Sequence, residues 1–229
     1  MNQRKAILWA AALGAIIGAA AVRPDVRHIT AGIPSLAGDP AMRTYQGFFY
    51  AAIAGWMIFS LYWEIAARNA APAKTSESKT SRAFHVTMSN LAALLVIAPI
   101  RGLGRLWPAF IPVMGAGLAV EAIGLALTLW ARHHLGRNWS GEISVKVDHE
   151  LIRSGPYRWL RHPIYTGLLT MYIGCALVTG ERLAVIGVAL AIFAYWRKIR
   201  LEEANLNTAF GADYEAYRRT TWALVPGVF

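Results

Sequence analysis

The chain has 229 residues, of which 56% are hydrophobic and only 16% are charged, and its mean hydropathy is +0.37. Soluble domains usually contain about 25% charged residues, so the composition indicates an integral membrane protein and excludes a disordered or collagen-like chain. The single cysteine excludes a disulfide scaffold and a cysteine-based zinc cluster. The net charge of +10 has to be interpreted from the placement of the basic residues.

Six apolar runs follow one another along the chain, and a spanning helix needs about 20 mainly apolar residues. The runs are Ala6–Val22, Tyr45–Trp63, Val86–Ile100, Leu106–Ala131, Ile164–Thr179 and Leu183–Trp196. The last two are short and cross a bilayer only if polar helix ends extend them. The first also resembles a secretory signal peptide, because basic residues precede it and alanines end it, although an uncleaved span is preferred. The pattern predicts an all-α, polytopic integral membrane helical bundle with about six spans.

Only Gly180-Glu181-Arg182 separates the last two runs, so they are expected to form a tight antiparallel helical hairpin. Glycines at positions 167, 174 and 187 offer small faces on which its helices could pack closely.

The chain is expected to divide into two parts. Residues 1–131 hold four transmembrane helices, with a flexible linker near 69–81 that is rich in Ala, Lys, Ser and Thr. Residues 132–229 form the C-terminal half, with a polar loop, the hairpin and a cytoplasmic helical segment. Any chemistry is expected in this second part.

The basic residues are distributed unevenly between the two sides of the predicted bundle. Most of the 23 lysines and arginines fall in segments on the same side as the N-terminus, which is the positive-inside pattern. This pattern places both termini in the cytoplasm and explains the net charge without a nucleic-acid partner. The alanine- and arginine-rich composition favours the inner membrane of a prokaryote.

The loop before the fifth run concentrates polar and aromatic residues. Two histidines, two tyrosines and several cations lie within residues 149–167. In a purely topological interpretation the Ser-Gly-Pro turn, the basic loop and Pro163 simply lead into a helix. The alternative is functional, because a helix N-terminus favours an anionic group of a ligand.

A second stretch follows the sixth run directly. Lys198 and Glu202 are spaced as i, i+4, and Arg200 and Glu203 as i, i+3, so both could be ordinary intrahelical ion pairs. Ionisable groups next to a membrane span are nevertheless costly and are often functional.

Together the two stretches resemble the C-terminal half of the isoprenylcysteine carboxyl methyltransferases and their prokaryotic relatives, which share a superfamily with phospholipid methyltransferases. The matching elements are His149 with Leu151 and Ile152, the run GPYRWLRHPIYTG, the Glu202-Glu203 pair, and Phe210-Gly211 with Tyr214 and Tyr217. The first 110 residues or so match that family only in being hydrophobic.

This resemblance implies S-adenosylmethionine as a methyl donor held without a Rossmann domain. The implied contacts are His149, Glu150, Leu151, Ile152, Tyr157, His162, Pro163, Ile164, Tyr165 and Glu202. The family places a basic residue four positions before the first glutamate, facing the carboxylate of the acceptor. That position is Lys198 here, with Arg200 as the alternative, and Glu203 or a tyrosine would help to remove a proton if the acceptor were an amine.

The function that we expect is methylation of the carboxylate of a prenylated cysteine, or of a similar lipophilic acid that enters from the bilayer among the membrane lipids. The alternatives are a phospholipid N-methyltransferase, an NADPH-dependent membrane reductase and a non-enzymatic membrane protein. Glu121, in mid-span, is expected to have a structural role. No metal is expected, because the adjacent histidines 133 and 134 are typical of a basic membrane interface.

Overall fold

The computed structural model describes residues 40–71, 73–98, 104–107, 110–140, 143–146 and 150–227, so the first predicted span lies outside the described residues. The helices are α1 (Pro40–Ala67), α2 (Lys79–Ile97), α3 (Ile111–Leu135), α4 (Pro163–Thr179), α5 (Arg182–Phe210) and α6 (Ala212–Arg219). Short 3₁₀ turns occupy Gly136–Asn138 and Gly155–Arg158. Two strands, β1 (Ala73–Ser76) and β2 (Ser144–Lys146), form a small antiparallel ribbon.

The prediction of a helical membrane bundle is confirmed. Within the described residues, Arg43–Ala67 and Ile111–Asn138 are long and apolar enough to cross a membrane, and Pro163–Thr179 is a shorter apolar helix. Large apolar side chains face outwards, as lipid contact requires. They include Met57, Ile58, Leu61 and Ile65 on α1, Ile123 on α3, and Val185, Ile186, Ile192 and Phe193 on α5.

Two helix pairs form the core of the bundle. Helix α3 packs along α4, and α2 packs along α5. Met114 and Met171 are fully buried between the first pair, and Val96 lies against α5 in the second. Helix α3 begins at Ile111 with Pro112 in its first turn, so Leu106 lies outside the helix, and it donates its N–H to the Gly180 carbonyl at 2.8 Å.

The helical hairpin of α4 and α5 is present. Gly180 ends α4 with a left-handed φ of 64°, and α5 begins two residues later. The predicted use of the glycines is wrong, however. Gly167 and Gly174 pack on the backbone of α3, and Gly187 packs on Ala92 and Val96 of α2. The small faces therefore join the hairpin to its neighbours rather than its two helices to each other.

The segment predicted as a flexible linker is partly ordered. Strand β1 pairs with β2 in the register Ala73↔Lys146 and Ser76↔Ser144. The side chain of Ser78 then caps α2 by accepting a hydrogen bond from the Ser81 N–H at 3.2 Å. The ribbon was not predicted, because local composition does not show that a segment pairs with another segment far along the chain.

Candidate active site

A polar cluster lies where α4 begins, and we call this end of the bundle the site end. His162 is the residue before the first turn of α4 and is buried, with 4% of its surface exposed. Its ring lies opposite the two acidic residues of α5, with Nε2 3.4 Å from Glu203 Oε1 and Nδ1 3.9 Å from Glu202 Oε2. Adjacent glutamates of one helix therefore meet the same imidazole.

Glu203 is the centre of an ion-pair network. Arg161 Nε donates to its Oε1 at 2.7 Å, and Arg218 Nε lies 3.9 Å from its Oε2. Burial by itself would raise the pKa of the Glu203 carboxyl, but the hydrogen bonds and charges of His162 and Arg161 outweigh burial and lower the pKa to about 2. Glu203 is therefore held as a carboxylate.

Glu202 has a different environment, although it is the neighbouring residue. The Tyr165 hydroxyl donates a hydrogen bond to its Oε2 at 2.7 Å, and 32% of the Glu202 side chain is exposed. The Glu203 carboxylate is thus paired with cations, while the Glu202 carboxylate is oriented by the Tyr165 hydroxyl and remains accessible. An accessible, oriented carboxylate can accept hydrogen bonds from an ammonium group.

Aromatic rings from the start of α4 and from α5 pack against one another beside the two glutamates. The His162 and Tyr165 rings are stacked 5.6 Å apart with an interplanar angle of 9°, and Tyr195 lies 5.2 Å beyond Tyr165. Lys198 is buried, and its Nζ lies 5.8 Å from the centre of the Tyr165 ring. Such a group of rings beside a buried cation can hold both an aromatic group and an anionic group.

The first turn of α4 completes the cluster. No side chain caps it, and Pro163 occupies its first position. The Thr166 N–H donates to the His162 carbonyl at 3.0 Å, whereas the N–H groups of Ile164 and Tyr165 have no acceptor within the helix. The end of the helix therefore offers hydrogen-bond donors and a partial positive charge to a carboxylate.

Two further segments hold the cluster in place. Tyr157, in the 3₁₀ turn, accepts a hydrogen bond at its carbonyl from the Tyr217 hydroxyl of α6 at 2.6 Å. Burial raises the pKa of Tyr217 to about 12, so this hydroxyl keeps its proton and remains a donor. The tail segment (Thr221–Leu224) runs beside the loop: Arg161 N–H donates to the Trp222 carbonyl at 2.8 Å, and His162 N–H to that of Ala223 at 3.1 Å.

Comparison with known proteins finds a family match for part of the chain. Residues 117–208 match the model of the isoprenylcysteine carboxyl methyltransferase (ICMT) family, and this range includes Arg161, His162, Tyr165, Glu202 and Glu203 of the cluster but not Arg218. The predicted family resemblance is confirmed.

Similar proteins include eukaryotic protein-S-isoprenylcysteine O-methyltransferases. The protein of Saccharomyces cerevisiae is 32% identical over 116 residues, covering 48% of this chain and 47% of the relative. That of Dictyostelium discoideum is 29% identical over 82 residues, 35% of each chain. Protein-S-isoprenylcysteine O-methyltransferase A of Arabidopsis thaliana is 28% identical over 149 residues, covering 64% of this chain and 74% of the relative.

This chain spans about half or less of the length of the first two of these relatives, the proteins of Saccharomyces cerevisiae and Dictyostelium discoideum. Among solved structures, that of a eukaryotic intramembrane Ras methyltransferase, ICMT, matches 99% of this chain and 98% of its own, with a TM-score of 0.45 and 17% identity.

The structure brings most of the predicted site residues of the ICMT-like segment together. His162, Tyr165, Lys198, Glu202 and Glu203 share the cluster. Pro163 and Ile164 are buried in the first turn of α4 behind them, and Tyr157 is buried in the preceding turn.

The other predicted residues lie further away or cannot be located. His149 is outside the described residues. Glu150 is exposed and donates its N–H to Asn138 Oδ1 at 3.3 Å, and Leu151 and Ile152 are half-buried. Arg200 is exposed, two positions from Lys198 and thus on another side of α5.

Arg161 is a site residue that the sequence analysis did not predict. It lies inside the quoted motif, directly before His162, but its partners are more than 40 residues away in sequence. Its position beside a predicted site histidine was the one available signal. Among the described residues, no group of three or more His, Cys, Asp or Glu side chains is placed to hold a metal ion.

Proposed function

We propose that this protein is a membrane carboxyl O-methyltransferase that uses S-adenosylmethionine to methylate the carboxylate of a prenylated cysteine or a similar lipophilic acid. The observation that carries the proposal is the accessible Glu202 carboxylate, oriented by Tyr165 beside the uncapped first turn of α4. This arrangement lies within the segment that matches the ICMT family.

The residues present fit the chemical groups of the donor. Glu202 would hold its ammonium, the first turn of α4 would hold its carboxylate, and the rings of His162 and Tyr165 would lie against its adenine or its sulfonium. When bound, S-adenosylmethionine supplies an electrophilic methyl group. His149, Glu150, Leu151, Ile152 and Tyr157 complete the proposed donor contacts.

Lys198 is the proposed contact for the acceptor carboxylate. It is buried beside Tyr165, whereas Arg200 is exposed on another side of α5. A carboxylate is already ionised at neutral pH, so the protein needs no general base for this acceptor. Its contribution would be to remove water from the acceptor and to hold it close to the donor.

The Glu203 network supports this assignment over an amine acceptor. An amine must lose a proton during methylation, and Glu203, the residue next to Glu202 in the sequence, is the carboxylate expected to accept it. Its carboxylate is instead paired with Arg161 and His162, and its pKa is held at about 2. A carboxylate with such a low pKa is a weak base.

The test is methyl transfer by the purified protein in lipid nanodiscs, with methyl-labelled donor and N-acetyl-S-farnesylcysteine as acceptor. The expected product is a base-labile ester that releases labelled methanol. Base-stable label on phosphatidylethanolamine would instead identify a phospholipid N-methyltransferase. Absence of any donor binding by calorimetry would overturn the proposal in either form.

A matched pair of variants tests the role of Glu202. We expect Glu202→Gln to weaken donor binding by about tenfold or more, because it removes a charge-assisted hydrogen bond. Glu215→Gln, on α6 and outside the cluster, is the control and should bind the donor as the wild type does. Equal affinities for both variants would remove Glu202 from the donor site.

We also propose that the site end and both termini lie in the cytoplasm. This orientation rests on the excess of lysine and arginine in the segments at this end. The inner membrane of a prokaryote is proposed from the alanine- and arginine-rich composition. Reporter fusions after residue 227 and within residues 180–182 would test the orientation, since the first should report the cytoplasm and the second the opposite side.

A further inference from the structure

One face of α2 carries polar residues at the site end of the bundle. Ser81, His85 and Ser89 are spaced four residues apart and therefore share that face. Each contacts one helix of the hairpin: Arg197 Nη2 donates to Ser81 Oγ at 3.1 Å, the His85 ring lies 5.2 Å from the Tyr195 ring, and Tyr172 donates its hydroxyl to the Ser89 carbonyl at 3.1 Å.

This face is continuous with the candidate active site. The Tyr195 ring lies between His85 and Tyr165, 5.2 Å from each, and Tyr165 binds Glu202. The Nζ of Lys198, the proposed contact for the acceptor carboxylate, lies 5.8 Å from the centre of the same Tyr165 ring. A group held beside Lys198 would therefore lie at the pair of rings, Tyr165 and Tyr195, that His85 borders.

His85 has an unused hydrogen-bonding atom. Its Nδ1 is buried and has no hydrogen-bond partner in the described structure. A buried polar atom without a partner is costly and unusual enough to need an explanation. Depending on the tautomer, Nδ1 either donates or accepts one hydrogen bond, and an amide group can supply the partner in both cases.

We infer that His85 is a specificity-determining residue whose Nδ1 hydrogen-bonds the amide group next to the acceptor carboxylate. The inference rests on the proposed function, because a C-terminal S-alkylated cysteine carries its amide and its carboxylate on the same carbon atom. With the carboxylate at Lys198, the amide would lie on the α2 side of the site. His85 lies outside the residues that match the ICMT family, 117–208, so this contact would be a property of the N-terminal half of the chain.

The test compares two acceptors that differ only in this amide. N-acetyl-S-farnesylcysteine has the group, and 3-(farnesylthio)propionate is the same acid without it. We expect His85→Leu to lower the ratio of kcat/KM for the first acceptor to kcat/KM for the second by about tenfold, as the loss of one buried hydrogen bond predicts. His85→Asn, which can still donate or accept near Nδ1, should restore most of the ratio.

Other outcomes distinguish a failure of this inference from a failure of the proposed function. His133→Leu, an exposed histidine of α3, is the matched control and should leave the ratio unchanged. If His85→Leu lowers kcat/KM for both acceptors equally, or for neither, His85 does not hydrogen-bond the amide of the acceptor and the inference is wrong. If the wild type methylates neither acid while binding the donor, the proposed acceptor class fails instead.

Discussion

Arg161 joins three segments through one side chain. Its Nε binds Glu203 of α5 at 2.7 Å, and its Nη1 donates to the carbonyls of Arg218 in α6 and Thr221 in the tail segment. Only 9% of the Arg161 side chain and 14% of the Glu203 side chain are exposed. We expect Arg161→Ala to lower the free energy of unfolding by about 3 kcal/mol, because it leaves a largely buried carboxylate without its main partner.

Thermal unfolding of the purified protein in one detergent would measure this loss. Arg219→Ala is the control, since Arg219 is an exposed residue of α6 and exposed arginines contribute little to stability. An Arg161→Ala protein that unfolds at the wild-type temperature would show that the network does not hold these segments together.

The same network makes stability depend on acid. The pKa of Glu203 is about 2 in the folded protein against an ordinary value of 4.5, so its ionised form stabilises the fold fully above about pH 4.5. Protonation removes this contribution as the pH falls from about 4.5 towards 2. Replacing Glu203 by Gln, which cannot ionise beside Arg161, His162 and Arg218, should flatten the fall in melting temperature between pH 5 and pH 3. A Glu203→Gln profile as steep as that of the wild type would contradict the assignment.

The sequence predicted much of this cluster at the level of residues. His162, Tyr165, Glu202 and Glu203 belong to two short motifs, and the structure brings those motifs together, although their roles remain predictions. The choice between Lys198 and Arg200 needed the rotational position of α5. The contacts of Arg161 could not be predicted, because they join residues 42 to 60 positions apart and no local pattern records such pairs.

At the level of elements, glycines fix how closely α3 and α4 approach. A Cβ atom on Gly117 would lie 2.7 Å from the Gly174 carbonyl oxygen, which is backbone and cannot move aside alone. We expect Gly117→Ala to force the helices apart and to lower the free energy of unfolding by about 1–3 kcal/mol.

Gly115 gives a matched control in the same helix. A Cβ atom there would meet only the Phe48 ring at 4.0 Å, so Gly115→Ala should be neutral or stabilising by up to about 1 kcal/mol, the difference in helix propensity. The measurement is thermal unfolding of both variants in one detergent. Equal melting temperatures for the two would mean that the close approach does not limit stability.

The elements themselves were easier to predict than their partners. Long apolar runs and the short Gly180–Arg182 connection are local signals, and the helices and the hairpin follow from them. A small-residue face shows only that something packs closely, so Gly167 and Gly187 did not reveal that their neighbours are α3 and α2. The β ribbon was missed for a similar reason, since its partner strands are separated by two whole helices.

At the level of the whole molecule, the loop before α4 and the tail segment, which are far apart in the sequence, contact each other at the site end. The loop before α4 pairs with the tail segment through Leu160 and Trp222, and Thr166 Oγ1 donates to the Leu224 carbonyl at 2.8 Å. These bonds hold the loop that carries His162 against the start of α4. The proposed donor site is therefore built from two chain segments and supported by a third, the tail segment, which bonds to His162 but supplies none of the proposed donor contacts itself.

Truncation tests whether this support matters. Ending the chain after Thr220 removes the carbonyls of Trp222, Ala223 and Leu224 that accept hydrogen bonds from Arg161, His162 and Thr166. We expect this protein to bind S-adenosylmethionine at least tenfold more weakly by calorimetry, because the first turn of α4 loses the partners that fix it, and loosely held binding groups cost affinity. Ending the chain after Leu224 keeps all three bonds and is the control. Equal donor affinities for the two truncated proteins would show that the helices alone position the site.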